Sequence, residues 1–251
     1  MGEHREGKET NRTLVKAAND TRRSKSNDER KNSFSKENSE IHREASLIVG
    51  TRIGVIQKKY ENPKEEYERD AREGKQQEKQ LEVWAKAMDL WVNDYEDING
   101  NKAKTLEDLL HSQWEYLNMG SEAEVYAYDD TMVLKSINLS HVNDNPSKLL
   151  DRITLFNLLF PTTALGIVGF GRDSLGHFRV IVTQPHIEGT ELTAKDLEKF
   201  HNKYELEQTE EGWFKIEYPN VYITDLSEFN ILKDNKGNFH IIDADVKYDT
   251  H

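Results

Sequence analysis

Cysteine is absent from the 251 residues, which excludes disulfides and thiolate metal sites and fits a reducing compartment. No apolar run approaches the roughly 20 residues that a membrane-spanning helix needs. The opening stretch MGEHREGKETNR also lacks the apolar centre of a secretory signal. A cytoplasmic location without membrane contact is therefore expected. Positive charge is in deficit too: 34 Lys and Arg stand against 46 Asp and Glu, a net charge of -12. That balance weighs against a general nucleic-acid or membrane-surface binder, because both partners are polyanions. Apolar residues reach only 35% against 32% charged, so the core is modest and leaves part of the chain outside it. The length allows one domain with an appendage, or two small ones.

The appendage is expected at the start. Up to about Glu40, apolar material is almost confined to Leu14, Val15, two alanines and Phe34, too little to offset the entropy of ordering the segment. Residues 1–43 therefore read as a disordered charged leader rather than a basic nucleic-acid arm. They carry 11 basic and 8 acidic residues, a net of +3, which leaves -15 for the remainder. Residues 44–114 read as a helical extension. Pro63 suits a first helical turn, and the polar stretch after it makes a solvated helix weakened at Gly74. Leu81, Trp84, Met88, Trp91, Val92, Tyr95 and Ile98 then recur at steps of three and four, predicting one amphipathic helix stopped by Asn99 and Gly100. That spacing is what a helix needs merely to dock, so the Trp and Met stripe reads as core. Thr105 is placed to cap a further helix from Leu106 to about Leu117.

After Met119 the period changes from helical to extended. Val125–Tyr128 and Met132–Ile137 flank a turn at Asp129 and Asp130 and predict a hairpin. Asn145 and Pro146 open a helix, LLDRITLFNLLF, that is apolar on several faces. Two strands follow, GIVGFG and HFRVIVTQP, joined by a turn at Asp173–Gly176, and then a short helix over about Thr193–Tyr204. WFKIEY and VYIT complete the extended segments before the C-terminal stretch. No internal repeat is apparent.

The chemistry is concentrated in VYITDLSEFNILKDNKGNFHIIDADVKY, residues 221–248. Ile231 and Leu232, a turn at Asp234–Asn238, and then Phe239, Ile241 and Ile242 make a tight hairpin. Its two ends bring Asn230 and Asp243 side by side, with Asp225 on the loop feeding the first strand. Three oxygen-bearing side chains thus converge, as a hard cation such as Mg²⁺ requires.

DLSEFNIL followed by IIDAD resembles the protein-kinase signature in order, apolar framing and hairpin length. The resemblance implies an α+β fold: a kinase-like N-lobe and a truncated, minimal C-lobe over residues 115–251, preceded by the helical region. By that likeness Asp225 is the catalytic base, and Asn230 and Asp243 are the metal ligands. Gly120 and Ser121, in NMGSEAEVYAY, cover the phosphates of ATP, although only one of three usual glycines is present. Lys135 in MVLKSI grips the phosphates. In VIVTQPHIEGTEL, Gln184 and His186 lie at the adenine hinge and Glu191 lies near the ribose. ATP and Mg²⁺ are the implied cofactors.

Several departures narrow the family. Ile223 and Thr224 replace the His and Arg before the catalytic Asp, and Ala244 and Asp245 replace the Phe and Gly after the metal Asp. Eight residues follow Asp243, which implies no activation loop and no large helical half. The helix that would carry a Glu partner for Lys135 has none, and Asp151 is the nearest acid. A kinase so shortened is similar to the Ser/Thr/Tyr kinase domain of polyvalent proteins, composite polypeptides of phages and conjugative elements. Its partners would then include other domains of such a composite and an unidentified protein substrate. Two other readings use the same residues. One is a small-molecule kinase of the aminoglycoside or choline type, whose hairpin often ends in a D-x-D like Asp243–Asp245. The other is a pseudokinase that serves as a nucleotide-binding docking module.

Overall fold

The computed structural model describes residues 40–46, 63–94, 105–140, 145–204, 206, 214–216 and 221–248. The expected leader lies outside the described residues up to position 39, as do Tyr95, Ile98 and the predicted stop at Asn99 and Gly100. Residues 40–46 are helical, and the His42 ring meets the Leu150 carbonyl at 3.0 Å.

Helix α1 (Pro63–Ala87) begins at the expected proline. The helix runs unbroken through Gly74. This glycine is buried against the start of a later helix, where a Cβ would meet that of Asn145 at 3.0 Å. The stripe from Leu81 does not continue on one helix to Ile98, because α1 ends at Ala87. Asp89 takes the left-handed conformation (φ 58°) and the Leu90 amide closes back on the Ala85 carbonyl at 2.7 Å. Trp91 then bridges to Phe170 of a strand, and Val92 enters a single 3₁₀ turn. This pairing wins because Gly169 and Gly171 leave the strand bare: a Cβ on either would lie 2.8 Å from a Val92 methyl.

Helix α2 (Leu106–Gln113) has its Thr105 cap, whose hydroxyl accepts from the Asp108 amide at 3.0 Å. It stops short of the expected Leu117. Trp114 is already extended, and residues 115–119 join the sheet as β1 (Glu115–Met119) opposite β2 (Ala123–Asp129). The predicted hairpin is β2 with β3 (Met132–Asn138). Helix α3 (Pro146–Leu159) follows, capped by Asn145, and then β4 (Gly166–Arg172) and β5 (Phe178–Pro185). The five strands form one antiparallel sheet in the order β1-β2-β3-β5-β4. Alternation along β5 sorts its faces. Val180 and Val182 pack with Leu81 of α1 and Leu149 and Ile153 of α3. Ile181, with Leu134, packs on Leu106, Leu109 and Leu110 of α2. The expected α+β class is thus observed, as a sheet between helices.

A second apolar cluster is built from the remaining elements. These are β6 (Gly189–Glu191), α4 (Ala194–Lys203), β7 (Phe214–Ile216), β8 (Val221–Thr224), β9 (Ile231–Asp234), β10 (Phe239–Ile241) and β11 (Asp245–Tyr248). They form two small sheets, β10-β9-β6 and β11-β8-β7. Phe200, Val221, Ile223, Ile231 and Val246 are buried together with Leu155 and Phe156 of α3. α3 therefore serves both clusters. Among the described residues no helix is long and apolar enough to cross a membrane.

Candidate active site

Register brings the C-terminal side chains together. In the β9–β10 hairpin Ile231 pairs with Ile241, so the chain leaves β10 beside residue 230. The Asn230 carbonyl accepts from the amides of Ile242 (2.9 Å) and Asp243 (3.4 Å). Asn230 and Asp243 are therefore neighbours, as the short hairpin predicts. β8 and β11 supply the third member: Thr224 lies opposite Asp245, which sets Asp225 against the same segment.

Asp225 sits in the left-handed region (φ 62°), a conformation that Asp and Asn tolerate better than other side chains. The Asn230 amide nitrogen donates to the Asp225 backbone carbonyl at 2.9 Å, holding the turn. The Asn230 side-chain oxygen accepts no hydrogen bond from the described residues. The Asp243 carboxylate is exposed and likewise has no hydrogen bond or ion pair among them. Asp225 as a residue is exposed, yet its carboxyl is partly withdrawn from water. That loss of hydration, with the negative charges of Asp243 and Asp245, pushes its pKa up, while the Asn230 amide opposes the rise.

Lys135 lies on β3 between Val125 and Val182. Its ammonium donates to the Ile242 carbonyl at 2.9 Å, and the Gln184 side-chain amide donates to the same oxygen at 3.0 Å. Gln184 also donates to the Thr163 carbonyl at 2.8 Å, and the Thr163 hydroxyl reaches the Ile241 carbonyl at 2.6 Å. The two successive peptides that precede Asp243 are thus anchored by Lys135, Gln184 and Thr163. Lys135, Asp243 and Ala244 line a cavity of about 30 Å³ together with Glu122, Arg152 and an apolar wall from α3.

Other residues singled out in the sequence are spread more widely. Gly120 donates its amide to the Ala123 carbonyl at 2.9 Å, closing a turn on which Ser121 is exposed. A Cβ at position 120 would meet only that carbonyl, at an ordinary 3.7 Å, so packing does not explain the glycine. Gln184 is 2% exposed, with its side chain turned into the core. The His186 amide donates to the Thr131 carbonyl at 2.8 Å, and its side chain is exposed. Glu191 is exposed on β6 opposite Leu232. Of the residues singled out in the sequence, Lys135 and Asp243 line the cavity, whereas Gly120, Ser121, Gln184, His186, Glu191, Asp225 and Asn230 do not.

Asp151 does not stand in for the missing partner of Lys135. Its Oδ1 is buried with no hydrogen-bond partner among the described residues, and burial alone raises its pKa to about 6. Arg152 faces the cavity instead, with a side chain 14% exposed. A signal for this was present in the helix: Leu149, Arg152, Ile153 and Phe156 share one face at steps of three and four, whereas Asp151 shares its face with Leu155. Thr163 and Glu122 carried no comparable local signal, since each acquires its role through a distant partner.

The candidate donors are oxygen atoms, which suit a hard cation. Among the described residues no group of three or more His, Asp or Glu is disposed to hold a metal. One unpaired carboxylate beside one free amide oxygen matches the way Mg²⁺ is held jointly with substrate phosphates, rather than in an all-protein cage. A family model described as "Serine/Threonine/Tyrosine Kinase found in polyvalent proteins" matches residues 74–250, more than half of the chain. A search of curated proteins finds no match.

Proposed function

Because the chain belongs to the Serine/Threonine/Tyrosine kinase family found in polyvalent proteins, we propose that it transfers the γ-phosphoryl group of ATP to a protein hydroxyl, with Mg²⁺. The observation that carries this reading is the pairing of Asn230 with Asp243 at the hairpin's end, one peptide from the Lys135 ammonium. Lys135 uses one of its three N–H donors on Ile242 and keeps two for phosphate oxygens. The turn at Gly120 and Ser121 covers those phosphates, and the bare face of Gly120 leaves them room. Asn230 and Asp243 would hold the cation, which when bound would offset the negative charge of the phosphates.

Asp225 orients the acceptor hydroxyl and takes its proton as oxygen bonds to phosphorus and ADP departs. In the cation-free chain the partial loss of hydration around the Asp225 carboxyl raises its pKa. Gln184 fixes the Ile242 carbonyl that Lys135 also meets, while backbone groups near His186 hold the adenine and Glu191 meets the ribose. Catalysis here is positioning and charge stabilisation. The reading places the protein in a cytoplasm, working beside other domains of a composite mobile-element polypeptide.

The test is phosphate transfer from labelled Mg-ATP, with mass spectrometry of the purified chain. Phosphorylated Ser, Thr or Tyr supports the protein kinase; labelled aminoglycosides or choline would instead indicate the small-molecule reading. Thermal stabilisation by Mg-ATP without any transfer would indicate the pseudokinase. Asp225→Asn keeps a residue that accepts positive φ, so turnover should fall by roughly 10²-fold or more with nucleotide affinity nearly unchanged. Equal loss of both would contradict the role given to Asp225.

A further inference from the structure

Three segments far apart in the chain meet at Arg152. Its guanidinium donates to the Glu122 carboxylate at 3.0 Å and lies 3.7 Å from the Asp245 carboxylate. Glu122 belongs to the turn that follows Gly120 and Ser121, and its backbone carbonyl accepts from the Asn138 amide at 2.9 Å. Asp245 begins β11, two residues after Asp243 and opposite Thr224, the residue before Asp225. Arg152 itself lines the cavity that holds Lys135 and Asp243. Each carboxylate it grips is therefore within two residues of a group in the proposed site. An ordinary surface pair would join exposed chains at random, but this guanidinium is largely buried and has both carboxylates beside the same pocket.

We propose that Arg152 is the positioning residue of this pocket, tying the turn 120–123 to the segment 243–245. The proposal rests on the phosphotransfer reading for its kinetic consequence. α3 thereby holds the site through a cation, whereas the expected arrangement was a carboxylate on that helix paired with Lys135. The lysine is anchored by the Ile242 carbonyl instead, so α3 is free to grip the two flanking acids. A planar fork with several donors can bridge two carboxylates at once, which a lysine ammonium at the end of a flexible stem does poorly.

The experiment compares wild type, Arg152→Met, Arg152→Lys, Glu122→Gln and the double variant Glu122→Gln/Arg152→Met. Hydrogen exchange of the amides at 120–124 and 243–246 is read in the nucleotide-free chain, and Mg-ATP kinetics are read below the melting transition. Arg152→Met should speed exchange in both segments together and leave that of β5 and of residues 132–136 of β3 unchanged. It should also lower kcat/KM by roughly 10–100-fold through misplacement of groups that it does not itself replace. Arg152→Lys should recover part of both effects. The double variant should be no worse than Arg152→Met, because the two residues act as one link. Additive losses, or faster exchange spread evenly over the sheet, would reduce Arg152 to a general structural contact and overturn the proposal. A wild type without phosphate transfer would defeat the proposed function, and the exchange pattern would still decide for or against the link.

Discussion

Asp151 should weaken the native protein at neutral pH, and replacing it should strengthen it. Its Oδ1 is buried with no hydrogen bond among the described residues. The cause is its place on α3: it shares a helical face with Leu155, which packs into the second apolar cluster. Burial lifts its pKa from 3.8 to about 6. Two units correspond to about 3 kcal/mol of differential cost for the ionised form; partial access to water reduces this to about 1–3 kcal/mol.

The sign follows from linkage. The folded pKa lies above the unfolded one, so the unfolded chain releases this proton first. Stability from this group is therefore greatest below about pH 4, falls between about 4 and 6, and stays low above that. Asp151→Asn removes the ionisation while keeping the shape. Urea unfolding at pH 8 should show a gain of about 1–3 kcal/mol, or several degrees in Tm for a domain of this size. At pH 4 the two proteins should match. If Asp151 instead paired with Lys135, Asp151→Asn would destabilise at pH 8, and that outcome, or a gain independent of pH, would refute the reasoning.

Three further outcomes follow from the same contacts. Gly120→Ala should leave the melting temperature within the effect of about 0.5 kcal/mol, since the added methyl meets only a carbonyl at 3.7 Å. The same change should weaken Mg-ATP binding in a calorimetric titration. Gln184→Met keeps the volume but removes the donor to Thr163 and one of two donors to Ile242. A loss of about 1–3 kcal/mol in denaturant unfolding is expected. Gly171→Ala would place a methyl 2.8 Å from both Asn93 Oδ1 and a Val92 methyl. The crowding should cost about 1–3 kcal/mol, and Trp91 fluorescence should report its displacement from β4.

Part of the candidate site could be seen in the chain because its members are close in sequence. Asn230 and Asp243 flank a hairpin whose turn, at Asp234 and Gly237 (φ 82°), is encoded by the residues themselves. The helix starts at Thr105, Asn145 and Thr193 were likewise local, since a side chain caps amides two or three positions on. The misjudged stops share another cause. α1 ends at Ala87 and α2 at Gln113 because the residues beyond them pair with strands, a preference that no helical periodicity records.

By itself, then, the amino-acid order determined the α+β class, the β2–β3 and β9–β10 hairpins, and the adjacency of Asn230 with Asp243. These depend on contacts spanning a dozen residues or so, where turn chemistry and alternation act directly. Only the tertiary structure decided that Lys135 meets the Ile242 carbonyl across 107 positions, that Gln184 turns inward, and that Arg152 rather than Asp151 faces the pocket. Those choices depend on how α3 is rotated between two apolar clusters, and that rotation is set by the burial of Leu149, Ile153, Leu155 and Phe156 together.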